Sequence, residues 1–247
     1  MAEQLSLRLE PALPRLPDLA PMLPTPRREA FDSPDHLFEP TWNGRRALAF
    51  VGPASRPGTG DVRLLGEDGE DVVGRLPELG GLAVRVAARS AILDGELVVV
   101  DGHGRIDSAA LESRIAGQRG RPVVYLVWDL LHLDGRSLIG LPLAKRRTEL
   151  RNVLHPADEV LVVPAIPNEG RALFDAVVAQ GIGGILARES RSPYLPGVRS
   201  RLWRSIAAER LPEIDTPPEP DDAEQASGGA VLAVLSRLPL EDDIDTS

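Results

Sequence analysis

Cysteine is absent from the 247 residues, and lysine occurs once, as Lys145, beside 27 arginines. The first absence excludes a disulfide framework, a thiolate metal site and a cysteine nucleophile together. Four scattered histidines make a zinc site unexpected as well. No run of about 18 apolar residues occurs, and no charged flank followed by an apolar stretch opens the sequence. Neither a membrane span nor a signal peptide is supported, so the expected location is the cytoplasm. What is present is a chain of 43% hydrophobic and 26% charged residues, enough for one sizeable core or two modest ones.

The formal charge of −9 would oppose nucleic-acid binding if it were evenly spread, because phosphate contacts need cations. It is concentrated instead. From Glu209 to the end there are 11 acidic and 2 basic residues, which leaves 26 of each sign in residues 1–208.

Three regions follow. Residues 1–30 carry Pro11, Pro14, Pro17, Pro21, Pro24 and Pro26, each lacking a backbone donor, and read as an extended arm. Residues 31–208 carry the folded pattern. Alternating, β-rich stretches at His36 to Thr41, Arg45 to Val51, Val62 to Leu65 and Ile92 to Val100 read as paired strands, the last closed by Asp101-Gly102. Helical spacing runs from Leu79 to Ala88 and from Ser108 to Ile115. The near-continuous apolar run Val123 to Leu133 predicts a strand buried on both faces, ended by Asp134-Gly135. A basic amphipathic helix over Leu143 to Leu154 and a strand over Val160 to Ile166 come next. Then comes a helix with Asn168 as cap and Gly181 as stop. Strands Gly184 to Arg188 and Leu202 to Ile206 complete the pattern. Strands and helices mix without strict alternation, which predicts an α+β fold on antiparallel sheets. Residues 209–247 read as an acidic, mostly disordered tail with a short helix over 230–238, a length at which an isolated helix is marginal in water.

Four stretches in order carry a resemblance. They are Phe38-Glu39-Pro40-Thr41-Trp42-Asn43-Gly44-Arg45-Arg46, Leu93-Asp94-Gly95-Glu96-Leu97, and Trp128-Asp129-Leu130-Leu131-His132-Leu133-Asp134-Gly135 with Leu141-Pro142-Leu143. The fourth is Gly181-Ile182-Gly183-Gly184-Ile185-Leu186-Ala187-Arg188, leading through Ser192-Pro193-Tyr194 to Trp203. With Pro21-Met22-Leu23-Pro24 ahead of them, residues 20–207 resemble the adenylation domain of ATP-dependent DNA ligases, the bacterial end-joining type above all. The resemblance implies the nucleotidyltransferase fold shared with mRNA-capping enzymes, two antiparallel sheets flanked by helices with ATP between them. It also implies lysyl-adenylate chemistry, in which an amine attacks the α-phosphorus and the adenylyl group passes to a DNA 5′-phosphate.

The departures from that pattern fall on the chemistry. Thr41 stands where the family has its nucleophilic lysine, and a hydroxyl forms no phosphoramidate. Asn43 replaces an aspartate and Gly183 a glutamate. Ser205 and Ala207 fall where two lysines hold the triphosphate. A preference for arginine over lysine excuses Arg188, but not threonine. The resemblance places Glu39 at the adenine edge, Trp128 on the base, Arg46 near ribose or phosphate, Arg188 in the nucleotide site, and Glu96 on ribose or Mg²⁺. It implies weak binding of ATP and Mg²⁺, with DNA or DNA-repair proteins as partners. The reading is a ligase-like protein without catalysis. An active enzyme with an unconventional nucleophile, or a structural module without ligands, is the alternative. Active ligases add an OB-fold after this core, and none is legible after Ile206.

Plainer readings exist for the same residues. Trp128 reads equally as core, whereas the motif around Glu96 favours the pocket over a plain hairpin carboxylate. Arg45, Arg46, Arg199, Arg201 and Arg204 read equally as surface charges. Lys145-Arg146-Arg147 is read as the solvated face of its helix rather than a DNA contact, and the acidic tail as a solubility element.

Overall fold

The stretches His36 to Thr41 and Arg45 to Val51 do not pair with each other, because three residues, Trp42-Asn43-Gly44, carry the chain from one sheet to another. The computed structural model describes residues 13–208 and 227–239. One sheet comprises β1 (Leu23–Pro26), β2 (Ser33–Thr41), β9 (Ile166–Asn168), β10 (Gly184–Glu189) and β11 (Arg199–Ala207), in the order β1-β11-β10-β2-β9. The other comprises β3 (Arg45–Val51), β4 (Val62–Gly66), β5 (Ala91–Val98), β6 (Val124–Leu133) and β7 (Arg136–Ser137), in the order β4-β3-β5-β6-β7, with β8 (Val160–Val162) beside β6. Pairing is antiparallel except for β1 on β11 and β8 on β6. The fold is the expected α+β arrangement of two sheets flanked by helices.

The second sheet is buried on both faces, which explains the continuous apolar run of β6. Ala47, Ala49, Leu93, Tyr125 and Val127 join a cluster with Leu82, Leu111 and Leu150 from the helices α1 (Leu82–Arg85), α2 (Ser108–Ile115) and α3 (Leu143–Val153). From β5 and β6, Val98, Val124, Leu126 and Trp128 join a cluster with Leu186 of the first sheet. The helix α4 (Gly170–Ala179) lays Leu173 and Val177 on that first sheet.

Three expectations change in detail. The strand expected over Val160 to Ile166 is two strands in different sheets, because Pro164 has no donor with which to continue the ladder. Asn168 does not cap α4. It ends β9 at φ +70, and the orphan N–H of Arg171 is satisfied by the Asp32 carboxylate at 3.0 Å. Gly181 does stop that helix, at φ +69. The helix expected over Leu79 to Ala88 shrinks to Leu82–Arg85 behind a 3-10 turn at Pro77–Leu79, since Gly80-Gly81 intervenes. Of the tail, residues 209–226 and 240–247 lie outside the described residues. Between them a helix α5 spans Ser227–Leu235, with Val231, Val234, Leu235 and the following Leu238 buried. Each of those side chains contributes about 1.5–3 kcal/mol on burial, which supplies what so short a helix lacks alone. No helix among the described residues is long and apolar enough to cross a membrane.

Two histidines make stability depend on pH. Burial pushes the His36 imidazole below its ordinary value, against opposing Glu189 and Asp35, and burial does the same to His132 against Asp134. A depressed folded pKa means that the unfolded chain takes up protons first. The stabilisation is therefore complete above the unfolded value of about 6.5 and is lost as pH falls through the folded values. Melting temperatures measured from pH 7.5 to 5 should fall more steeply for the native protein than for His36→Gln/His132→Gln. Parallel curves would rule this out.

Candidate functional site

Register sets the site. Across the first sheet, Thr41 faces Gly184 and Gly184 faces Ala207; Glu39, Leu186 and Ser205 form the next such row; Leu37, Arg188 and Trp203 form a third. Alternate residues share a face, so positions 39, 41, 188, 205 and 207 come together on the side turned to the second sheet. The row of Thr41 is built entirely of small, uncharged residues.

Beyond Thr41 the crossing loop is held by a single carboxylate. Glu96 on β5 accepts hydrogen bonds from the backbone N–H of Trp42 at 2.9 Å and of Gly44 at 3.0 Å, and from the Thr41 hydroxyl at 3.2 and 3.1 Å. Burial pushes the Glu96 carboxyl above its usual range, against the lowering effect of those bonds. Asn43 adopts the left-handed conformation at φ +56 and donates from Nδ2 to the carbonyl of Gly183 at 2.7 Å. A Cβ at position 183 would lie 2.7 Å from both that Nδ2 and the Trp42 carbonyl, so no larger residue fits there as the loop stands. Asn43 and Gly183 thus fit each other, so the two positions where the resemblance leads one to expect an aspartate and a glutamate form one local structure.

Behind the loop, seven charged groups lie together, six of them buried and Arg46 nearly so. Glu39 is fully buried and pairs with Arg147, while Arg188 Nη2 lies 2.5 Å from both of its carboxylate oxygens. Arg147 also donates to the carbonyls of Trp128 at 2.9 Å and Val163 at 2.7 Å. Arg188 donates to the Trp128 carbonyl at 3.0 Å and approaches Asp129 at 3.4 Å, under the ring of Trp203. Asp129 forms a bidentate pair with Arg146 at 2.8 and 2.8 Å. Arg46 makes the equivalent fork on Asp94 at 2.6 and 2.5 Å, and its guanidinium lies 4.8 Å from the centre of the Trp128 ring. Tyr194 donates to Asp94 at 2.8 Å. The network is not fully satisfied: Trp128 Nε1 and Arg188 Nε find no hydrogen-bond partner, and Glu39 Oε2 meets Arg188 only as an ion pair.

The structure thus brings Glu39, Arg46, Trp128 and Arg188 to one place and puts Thr41 and Glu96 in a second cluster beside it. Their binding groups face one another. The Glu39 carboxylate is occupied by two guanidiniums and a face of the Trp128 ring by a third. As they stand, these side chains present their binding groups to one another rather than to a ligand. Nor is Glu96 free for Mg²⁺, since its oxygens already accept from Thr41, Trp42 and Gly44. Among the described residues no group of three acidic or histidine side chains is placed to hold a metal ion.

The solvated-face reading of Arg146 and Arg147 is overturned. Both are buried, on the stripe Leu143, Arg146, Arg147, Leu150 and Val153 that α3 turns to the core. That i, i+3, i+4 spacing was the available signal. Arg45 is a surface charge, whereas Arg46 is not, and Arg199 and Arg201 are exposed. Asp129 and Tyr194 lie within motifs already noted, but nothing local marks them as partners for residues 17 and 100 positions away.

Residues 18–206 match the family of the ATP dependent DNA ligase domain. The multifunctional non-homologous end joining DNA repair protein LigD of Mycobacterium tuberculosis is 34% identical over 187 residues, which are 75% of this chain and 23% of that protein. The SPbeta prophage-derived DNA ligase-like protein LigB of Bacillus subtilis is 25% identical over 189 residues, 76% of this chain and 67% of the relative. The chain therefore spans about a quarter of the length of the mycobacterial relative. Among solved structures, mycobacterial DNA ligase D complexed with ATP and MES superposes with a TM-score of 0.64 at 32% identity, covering 76% of this chain and 60% of that one.

Proposed function

The chain belongs to the ATP-dependent DNA ligase family, and we propose that it is a ligase-like core without ligase chemistry, kept as a binding module in DNA repair. One observation carries the reading. Every group that the family resemblance assigns to the nucleotide is already committed inside the protein: Glu39 to Arg147 and Arg188, Trp128 to Arg46, Glu96 to the crossing loop. ATP and Mg²⁺ would have to displace buried ion pairs to enter, so they are held weakly at best. The end-joining repair named for the mycobacterial relative supports DNA or DNA-repair proteins as partners, and cytoplasmic placement goes with that role.

A second reading has one feature in its favour. The Thr41 hydroxyl donates to a carboxylate at 3.1 Å, the pairing of a nucleophile with its base. Burial raises the basicity of that carboxylate, but its oxygens also hold the crossing loop through the N–H groups of Trp42 and Gly44, which a proton taken from Thr41 would disturb. A threonyl adenylate would also be a phosphodiester with a poor leaving group for onward transfer. A structural module with no ligand is the remaining alternative.

Two measurements test the proposal. The purified protein should seal no nicked duplex in ATP and Mg²⁺, and sealing above the blank would end it. Millimolar ATP should raise the melting temperature by less than about 2 °C, since a ligand at its Kd adds only about 0.4 kcal/mol. A larger rise would mean that the cleft opens readily.

A further inference from the structure

The family match ends at residue 206, yet helix α5 beyond it is seated in the core of the matched domain. Its stripe of Val231, Val234, Leu235 and Leu238 enters the apolar cluster that holds Trp42, Val98, Val100 and Ile182. The seat is cut for it at two glycines. A Cβ on Gly104 would lie 2.1 Å from Val234 Cγ2, and a Cβ on Gly228 would lie 2.0 Å from the carbonyl of Asp158. Backbone therefore meets helix directly at Gly104, and helix meets backbone at Gly228, a closeness that side chains on either partner would prevent. The turn at Gly104 is also the one whose carbonyl accepts the Trp42 indole N–H at 2.9 Å, so the seat adjoins the crossing loop.

We propose that this groove is a helix-docking site on the ligase-like core, occupied in cis by the chain's own segment 227–239, which a free copy of the segment can replace. Three features support a tethered ligand rather than an integral element. The segment lies outside the family domain. It is joined to β11 only through residues 208–226, which carry an acidic sequence rather than an apolar one. Its contact rests on one stripe, leaving Leu232, which lies outside that stripe, about half exposed. On one chain the effective concentration is of millimolar order, so a helix of modest intrinsic affinity stays seated.

The test uses the full chain. Val231→Asp/Val234→Asp should unseat the helix, keep a cooperative melt, and lower the melting temperature by roughly 5–10 °C. A dye-labelled peptide of sequence 227–239 should then bind this variant at least tenfold more tightly than it binds the native protein, whose groove is filled, as read by fluorescence anisotropy. Leu232→Asp, outside the stripe, should behave as native in both measurements. Peptide binding to neither protein, equal binding to both, loss of cooperative unfolding in the double variant, or an equal effect of Leu232→Asp would each overturn the proposal.

Discussion

Replacing Glu39 by leucine should cost about 3–5 kcal/mol of stability, the range seen when one partner of a buried ion pair is removed. The loss comes less from the contact deleted than from what is left. Arg147 and Arg188 would remain in the core, with only carbonyls and the more distant Asp129 to answer their charge. A chain of this size should melt roughly 10 °C lower, and urea unfolding would give the free energy directly. Arg45→Ala is the control. Its partners Asp68 and Glu112 are 3.9 and 3.4 Å away on the surface, and such pairs contribute at most about 1 kcal/mol. The comparison bears on function as well as on folding. If Glu39→Leu were as mild as Arg45→Ala, water would already be screening the Glu39 pair. The cleft would then be open in solution, and the case for a self-filled site would fall with it.

How far these features could be read from sequence depends on whether their causes are local. β6 and α2 were legible because a continuous apolar run and a 3.6-residue period are visible within a single stretch. Gly181 was legible as a stop, since a left-handed residue after a helix favours glycine whatever lies beyond. The cap of α4 was not legible, because Asp32 reaches it from 139 residues away. The split of Val160 to Ile166 between two sheets had only Pro164 as its mark. Motif spacing singled out Thr41, Glu39, Glu96, Trp128 and Arg188, which the structure places in two adjoining clusters, but it said nothing of their state. Whether Glu39 faces a base or a guanidinium depends on α3, where two arginines in a basic run looked like a solvated surface. Their positions at i+3 and i+4 from Leu143 placed them in the core, and composition argued the other way. Composition was the weaker guide.

The same commitments decide what happens when the lysine that the resemblance assigns to position 41 is supplied. Thr41→Lys should take up no label from α-labelled ATP and Mg²⁺ that survives denaturation, like the native protein and unlike an active family member run beside it. A nucleophilic lysine must lose its proton, which neighbouring cations promote and neighbouring anions oppose. At position 41 the nearest charge is the Glu96 carboxylate, and the residues across the strands are Gly184 and Ala207. The new amine would therefore stay protonated as half of an ion pair. Even a neutral amine would find no held α-phosphate, since Ser205 and Ala207 offer no cation and the Glu39 carboxylate is taken by Arg147 and Arg188. Label on Thr41→Lys alone would show that the cleft opens to ATP and has lost only its amine, so that the buried charges are a resting arrangement rather than a barrier. Label on the native protein would go further, because it would make Thr41, with Glu96 as its base, a nucleophile in its own right.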